Sequence, residues 1–231
     1  MKIKAILFDL DGTLLNSLED LADSSNQALA GFGLPPQPTE DYRLMVGAGA
    51  RNLILRMASN ASGLPQDQID EQTVKGMLAV FSQVYARNWA VKTHPYPGIR
   101  ELLDKLHAAG LPLAVLSNKP DDFTQAIMAH FFRPDEFVVV SGKKPEWPIK
   151  PDPALALELG RQMGVEPGEM ALVGDSGSDM ETAVRAGMLP IGVLWGFRSE
   201  AEMTSAGAVW LAETPAELGD FLISQAVANH D

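Results

Sequence analysis

Cysteine is absent from the chain, which excludes disulfides, thiolate nucleophiles and cysteine-ligated metals. Basic residues are also scarce: 18 Lys and Arg stand against 30 Asp and Glu, a formal net charge of −12. Nucleic acid and anionic membranes call for a basic face, so neither is expected as a partner. Small anionic ligands are not excluded, because they respond to local charge and not to the sum. No apolar run approaches the roughly 18 residues of a spanning helix, and Asp9 and Asp11 interrupt the early run AILF (5–8) before it could read as a signal peptide. Histidine occurs four times, at His94, His107, His130 and His230, with no ligand spacing. Surface or packing roles are expected for all four. Together these absences predict a protein of the reducing cytoplasm, built without soft metal ligands; a monomer or homodimer is expected. The hydrophobic fraction of 46% is ample for a packed core, although aromatics make up only 7%.

Six short apolar runs lack clean alternation and read as buried parallel strands: IKAILFDL (3–10), LPLAVLS (111–117), EFVVVSG (136–142), MALVGD (170–175), PIGVLWG (190–196) and the weaker AVWLAE (208–213). Between them, GIRELLDKLHAAG (98–110), DPALALELGRQMG (152–164) and DMETAVRAG (179–187) carry helical periodicity and each closes on glycine. This grammar predicts an α/β fold with a doubly wound, Rossmann-like parallel sheet. Residues 16–92 break the rhythm. SLEDLADSSNQALAGFG, GARNLILRMASNA and DQIDEQTVKGMLAVFSQVYARNWA are helical, the last with Ile69, Met77, Val80, Phe81 and Val84 on one stripe. An all-helical insertion is predicted there, with Met45, Met57 and Met77 filling its core, and THPYPG (93–98) is the return linker. Residues 1–15 and 93–231 then form the α/β core.

The chemistry-bearing residues follow strands, where a doubly wound sheet binds ligands. The first strand exits into Asp9 and Asp11, the second into Ser117-Asn118-Lys119, the fourth into Asp175, with Asp179 one helical turn onward. Lys150-Pro151 precedes the helix before that fourth strand. Two acids spaced by one residue on extended backbone point to one side, and such proximity either raises a pKa or calls for a cation. An all-oxygen set without histidine suits a hard ion, Mg²⁺ above all. Gly12 and Thr13 offer backbone N–H groups, and Lys150 a fixed charge, for a phosphoryl group. Lys119 has two readings, a contact to phosphate and an exposed lysine at a helix start, with the second preferred, and Lys143 and Lys144 are expected as solvated loop charges. Asp179 has a second reading as a first-turn helix acid.

DLDGT (9–13), SNK (117–119), KPDP (150–153) and GDSGSD (174–179) resemble, in order, the four motifs of the haloacid dehalogenase superfamily. The insertion after the first motif looks like that superfamily's helical cap. The resemblance implies Asp9 as nucleophile, forming an aspartyl-phosphate, and Asp11 as general acid and then base. It implies Mg²⁺ held by Asp9, the Asp11 backbone carbonyl and Asp175, with Asp179 in support. Ser117, the Asn118 backbone and Lys150 would bind the transferring oxygens. An acid at Asp11 fits a leaving alkoxide, which needs a proton, and not a halide, which does not.

In the insertion, MVGAGARNLI (45–54) resembles the cap loop of phosphoglycolate phosphatases and β-phosphoglucomutases, and Arg51, or Arg43 before it, is a candidate for a substrate carboxylate. WGFRSEAEM (195–203) also looks like the phosphoglycolate phosphatase branch, although Gly177 stands where many members carry a larger residue. The expected activity is Mg²⁺-dependent hydrolysis of a small phosphorylated metabolite, phosphoglycolate first. The alternatives are β-phosphoglucomutase-like phosphoryl transfer, pyrophosphate hydrolysis and, from another class, a non-catalytic binding or regulatory protein on the same scaffold.

Overall fold

The computed structural model describes residues 2–227. The chain divides into two compact units, one taking the residues up to Leu15 and from Pro95 onward, the other Asn16–His94. In the first unit β1 (Ala5–Phe8), β2 (Leu113–Pro120), β3 (Val139–Lys143), β4 (Met170–Gly174), β5 (Leu189–Val193) and β6 (Trp210–Ala212) form a wholly parallel sheet. Their order is 3-2-1-4-5-6, the doubly wound arrangement the alternating pattern predicts. Such a sheet is covered on both faces, which explains why every residue of β1 and β4 is buried. One face, with Ala5, Leu7, Ala114, Leu116, Met170 and Leu172, packs with Leu155 and Leu159 of α6 (Ala154–Met163) and Ala183 of α7 (Gly177–Ala186).

The remaining helices of this unit are α4 (Ile99–Ala108), α5 (Asp121–Phe131), α8 (Glu200–Ser205) and α9 (Pro215–Val227). α4 buries Ile99, Leu102, Leu103 and Leu106, a 3–4 spacing that puts one stripe inward. α5 is absent from the expectations above; its inward stripe of Thr124, Ile127 and Met128 is interrupted by a polar residue and so gives a weak apolar signal. β3 begins three residues later than its apolar run. Glu136, at the head of that run, is buried outside the strand, where Arg100 and the Arg133 N–H meet its carboxylate. Lys143 ends β3 and is exposed, while Lys144 lies 3.7 Å from Asp121.

The second unit is helical: α1 (Leu18–Gly31), α2 (Ala50–Ser62) and α3 (Glu71–Asn88), with 3-10 turns at Thr39–Leu44 and Gln66–Gln68. Met45, Met57 and Met77 are buried as expected. The buried stripe of α3 is Val74, Met77, Phe81 and Tyr85; Val80 and Val84 are half-buried, and Ile69 precedes the helix. Inside α1 the fully enclosed Asp20 accepts the Lys92 N–H (3.0 Å), the Thr93 N–H (2.8 Å) and the Thr93 hydroxyl (2.7 Å), tying the end of this unit to its start.

Candidate active site

Parallel registry aligns the strand ends. Phe8 of β1 sits opposite Val115 of β2 and Val173 of β4, so Asp9, Ser117 and Asp175 emerge at one edge. The exits of β1 and β4 flank the point where strand order reverses, the crevice in which sheets of this class bind ligands. The Asp9 N–H still donates to Val173 O at 2.9 Å, which fixes its side chain at the very end of the ladder.

Three buried carboxylates, Asp9, Asp175 and Asp179, place oxygens within 4.8 Å of one another. One ammonium lies among them. Lys150 Nζ is 2.8 Å from Asp9 Oδ1 and 2.6 Å from Asp179 Oδ1, and it donates to Leu116 O at 2.9 Å. The loop carrying Lys150 is held by Asn118, whose Oδ1 accepts the Lys150 N–H (2.8 Å) and whose Nδ2 donates to the Lys150 carbonyl (3.1 Å). Asp179 turns its other oxygen to the Ser176 N–H (3.1 Å) and hydroxyl (2.5 Å), closing a capping box at the start of α7. It thus caps α7 with one oxygen and faces Lys150 with the other.

Asp175 is gripped by the backbone. Its Oδ2 accepts the Phe197 N–H at 2.7 Å and its Oδ1 the Thr13 hydroxyl at 3.3 Å. Gly12 (φ +89°) and Gly196 press against it: a Cβ on Gly12 would lie 2.3 Å from Asp175 Oδ2, and one on Gly196 2.2 Å from Asp175 Cβ.

The charges do not balance. Burial, then the Asp179 charge, pushes the Asp9 carboxyl up to about 8 despite Lys150. Burial and Asp179 likewise raise Asp175 to about 7, against the Phe197 N–H. Burial works against the charged form of Lys150, yet Asp179 and Asp9 more than reverse it and hold the ammonium above its ordinary value.

Asp11 stands outside this trio. Both its oxygens face Lys119 Nζ, at 2.8 and 2.6 Å. Lys119 is not the exposed helix-start cation expected from sequence: it lies within β2, its side chain only 5% exposed, and its N–H donates to Ser117 Oγ at 3.2 Å. Burial beside an acid accounts for the difference, since a lysine in that position is retained only with a partner.

A model of the haloacid dehalogenase-like hydrolases matches residues 3–187. The chain belongs to this family. A phosphoglycolate phosphatase of Haemophilus influenzae is 36% identical over 217 residues, 94% of this chain and 97% of that one. One from Rhodospirillum rubrum is 37% identical over 220 residues, covering 95% and 90%. Among solved structures, a protein described as a predicted phosphoglycolate phosphatase from Haemophilus somnus has a TM-score of 0.88 at 32% identity, covering 96% of this chain and 98% of that one.

In this haloacid dehalogenase-like hydrolase the loop after β1 also departs from the expectation. The N–H groups of Gly12 and Thr13 are not turned to a ligand: they donate to Leu15 O (2.9 Å) and Leu10 O (3.3 Å), because the loop Leu10–Leu15 closes on itself. Gly12 and Thr13 act on Asp175 instead, through close approach and a hydroxyl. Arg51 lies in the helical unit, half exposed, and pairs with Glu71 at 2.6 Å; Arg43 pairs with Glu40 at 2.8 Å. His94 and His130 are exposed and His107 half-buried, and His230 lies outside the described residues. The Phe197 N–H and the Asn118 side chain were not foreseen. Gly-aromatic just past a strand end, as in Trp195-Gly196-Phe197, is the signal that could have found the first, whereas nothing local marks the second.

Proposed function

We propose that this hydrolase is a Mg²⁺-dependent phosphatase that transfers the phosphoryl group of a small metabolite to Asp9, with 2-phosphoglycolate as the substrate. The observation that carries the reading is the buried trio of Asp9, Asp175 and Asp179, with the Lys150 ammonium set against Asp9 and Asp179. An all-oxygen set short of positive charge fits a hard divalent cation, with Asp9 and Asp175 as carboxylate ligands, the Asp11 carbonyl beside them and Asp179 in support. When bound, Mg²⁺ supplies positive charge to the phosphoryl oxygens and lowers the cost of ionising the acids.

The chain's own residues do the rest. Asp9 uses a carboxylate oxygen to form a bond to phosphorus while the ester P–O bond breaks and its electron pair leaves with the ester oxygen. Asp11 gives that oxygen a proton, then accepts one from the water that hydrolyses the aspartyl-phosphate. Lys150 holds Asp9 in place, and Ser117 together with the Asn118 backbone meets the transferring oxygens. The helical unit would serve as a cap that shields the reaction from water, with Arg51 a candidate contact for the substrate.

Two relatives bearing the name phosphoglycolate phosphatase, each above 35% identity over nearly the whole chain, support the choice of substrate. A screen of phosphorylated metabolites by phosphate release tests it, with 2-phosphoglycolate expected as the best substrate and Asp9→Asn as the dead control. Isomerisation of β-glucose 1-phosphate with little free phosphate would overturn hydrolysis in favour of phosphoryl transfer.

A further inference from the structure

We infer that Lys119 recognises a carboxylate on the leaving group one carbon away from the ester oxygen, so that the preferred substrates are phosphate esters of α-hydroxy acids. The inference rests on the phosphatase reading above and assigns the residue that would read the leaving group.

Two buried lysines stand at this sheet edge, and they divide the work. Lys150 is taken up by Asp9, Asp179 and the Leu116 carbonyl, the side on which the phosphoryl group is transferred. Lys119 is instead taken up by both Asp11 oxygens. Asp11 is the residue that must give the ester oxygen a proton, and to carry that proton it must release the ammonium from at least one of its oxygens. When Asp11 turns to the leaving oxygen, its contacts with Lys119 become available to another anion. A neutral leaving group offers none, and an ammonium in a site this enclosed strongly prefers an anionic partner.

Geometry limits where that anion can be. Asp11 and Lys119 touch at 2.6 Å, so the two groups they bind must also be neighbours. In the ester of an α-hydroxy acid, the ester oxygen and the nearest carboxylate oxygen are separated by only two carbons. Each added methylene moves the anion away from a cation whose stem is packed at the end of β2.

The test compares 2-phosphoglycolate with 3-phosphooxypropanoate, which is one methylene longer, and with phenyl phosphate, which has no carboxylate. It uses the Mg²⁺-loaded full chain, and kcat/KM is read for each. The wild type is expected to favour 2-phosphoglycolate over both. Lys119→Met should lower kcat/KM for 2-phosphoglycolate by about 100-fold and for phenyl phosphate by about 10-fold or less, since a charged contact is lost only with the former. Lys119→Arg should keep part of the preference. A purely structural lysine would lower all three substrates alike, so the ratio between substrates is decisive.

A Lys119→Met enzyme that keeps the full preference overturns the assignment and leaves the substrate reading standing. Should the same carboxylate-selective loss come from Arg51→Ala instead, recognition belongs to the helical unit and the inference fails. Wild-type hydrolysis with no preference for the shorter acid also overturns it, even if Lys119→Met does not fold. Absence of phosphate release from every ester would sink the phosphatase reading itself.

Discussion

Two of the places where this molecule buries carboxylate are built on opposite plans. In the helical unit Asp20 is enclosed within α1 and surrounded by donors, two backbone N–H groups and a hydroxyl, all at 2.7–3.0 Å. At the sheet edge Asp9 and Asp179 share one lysine with Asp175 beside them, and Asp9 and Asp175 are pushed up to about 8 and about 7. The first is saturated by its own chain and serves structure. The second remains short of positive charge, an arrangement that folding alone gives no reason to keep. Buried acidity is thus informative only once its donors are counted.

The comparison can be broken most forcefully at Asp9. Asp9→Asn is expected to cost at least about 10³-fold in phosphate release, while the metal-free protein melts no lower than the wild type, because a neutral amide removes the cost of burying an ionisable group. Residual turnover close to wild type would refute the nucleophile. Chelation of divalent cations should likewise abolish turnover, and added Mg²⁺ should restore it. Asp175→Asn should need far more Mg²⁺ for half-maximal rate, whereas substitutions at Asp20 should leave that requirement unchanged.

Asp20→Ala should instead destabilise the protein by about 3 kcal/mol, since it strands several donors in an enclosed place; urea denaturation measures it. Thr93→Val, which removes one of those donors, should cost about 1 kcal/mol.

The smallest effect is in pH. Asp9 and Asp175 have folded-state values raised from the ordinary 3.8 to about 8 and about 7, so the folded protein keeps protons there that the unfolded chain has released. The stability this provides is complete in acid, declines as pH climbs from about 4, and is gone above about 8. Metal-free melting temperature should therefore fall across that range, and the rise on adding Mg²⁺ should be larger at pH 8 than at pH 6. A rise independent of pH would count against these acids as the metal's ligands.

Much of this was legible in the sequence because it depends on local order. Apolar runs gave the strands, their exits gave Asp9, Asp11, Ser117 and Asp175, and the strand-free stretch gave the helical unit. What could not be read depends on distant partners. Nothing near Lys119 announces that Asp11 folds against it, 108 residues away in sequence. Gly12 looked like a phosphate cradle because glycine N–H groups often are, but its turn consumes that donor and its missing side chain makes room for Asp175. Several phases of the apolar-rich α3 fit helical spacing equally well, and its buried face takes Val74 and Tyr85 with Met77 and Phe81, leaving Val80 and Val84 half-buried.

The sheet order carries one more consequence, for how the protein comes into being. β1 lies at the centre of the sheet, yet its neighbours are residues 113–115 and 170–173. On a translating ribosome this strand would emerge early and wait for more than 150 residues before both its edges are paired. Non-local pairing of this kind is slow, and an unpaired AILF edge is adhesive in the meantime. The helical unit, encoded in between and closed by contacts of its own, can fold while β1 waits. The central strand is among the first segments made and among the last completed, and a chain interrupted before β4 would have Asp9 without Asp175 or Asp179 beside it.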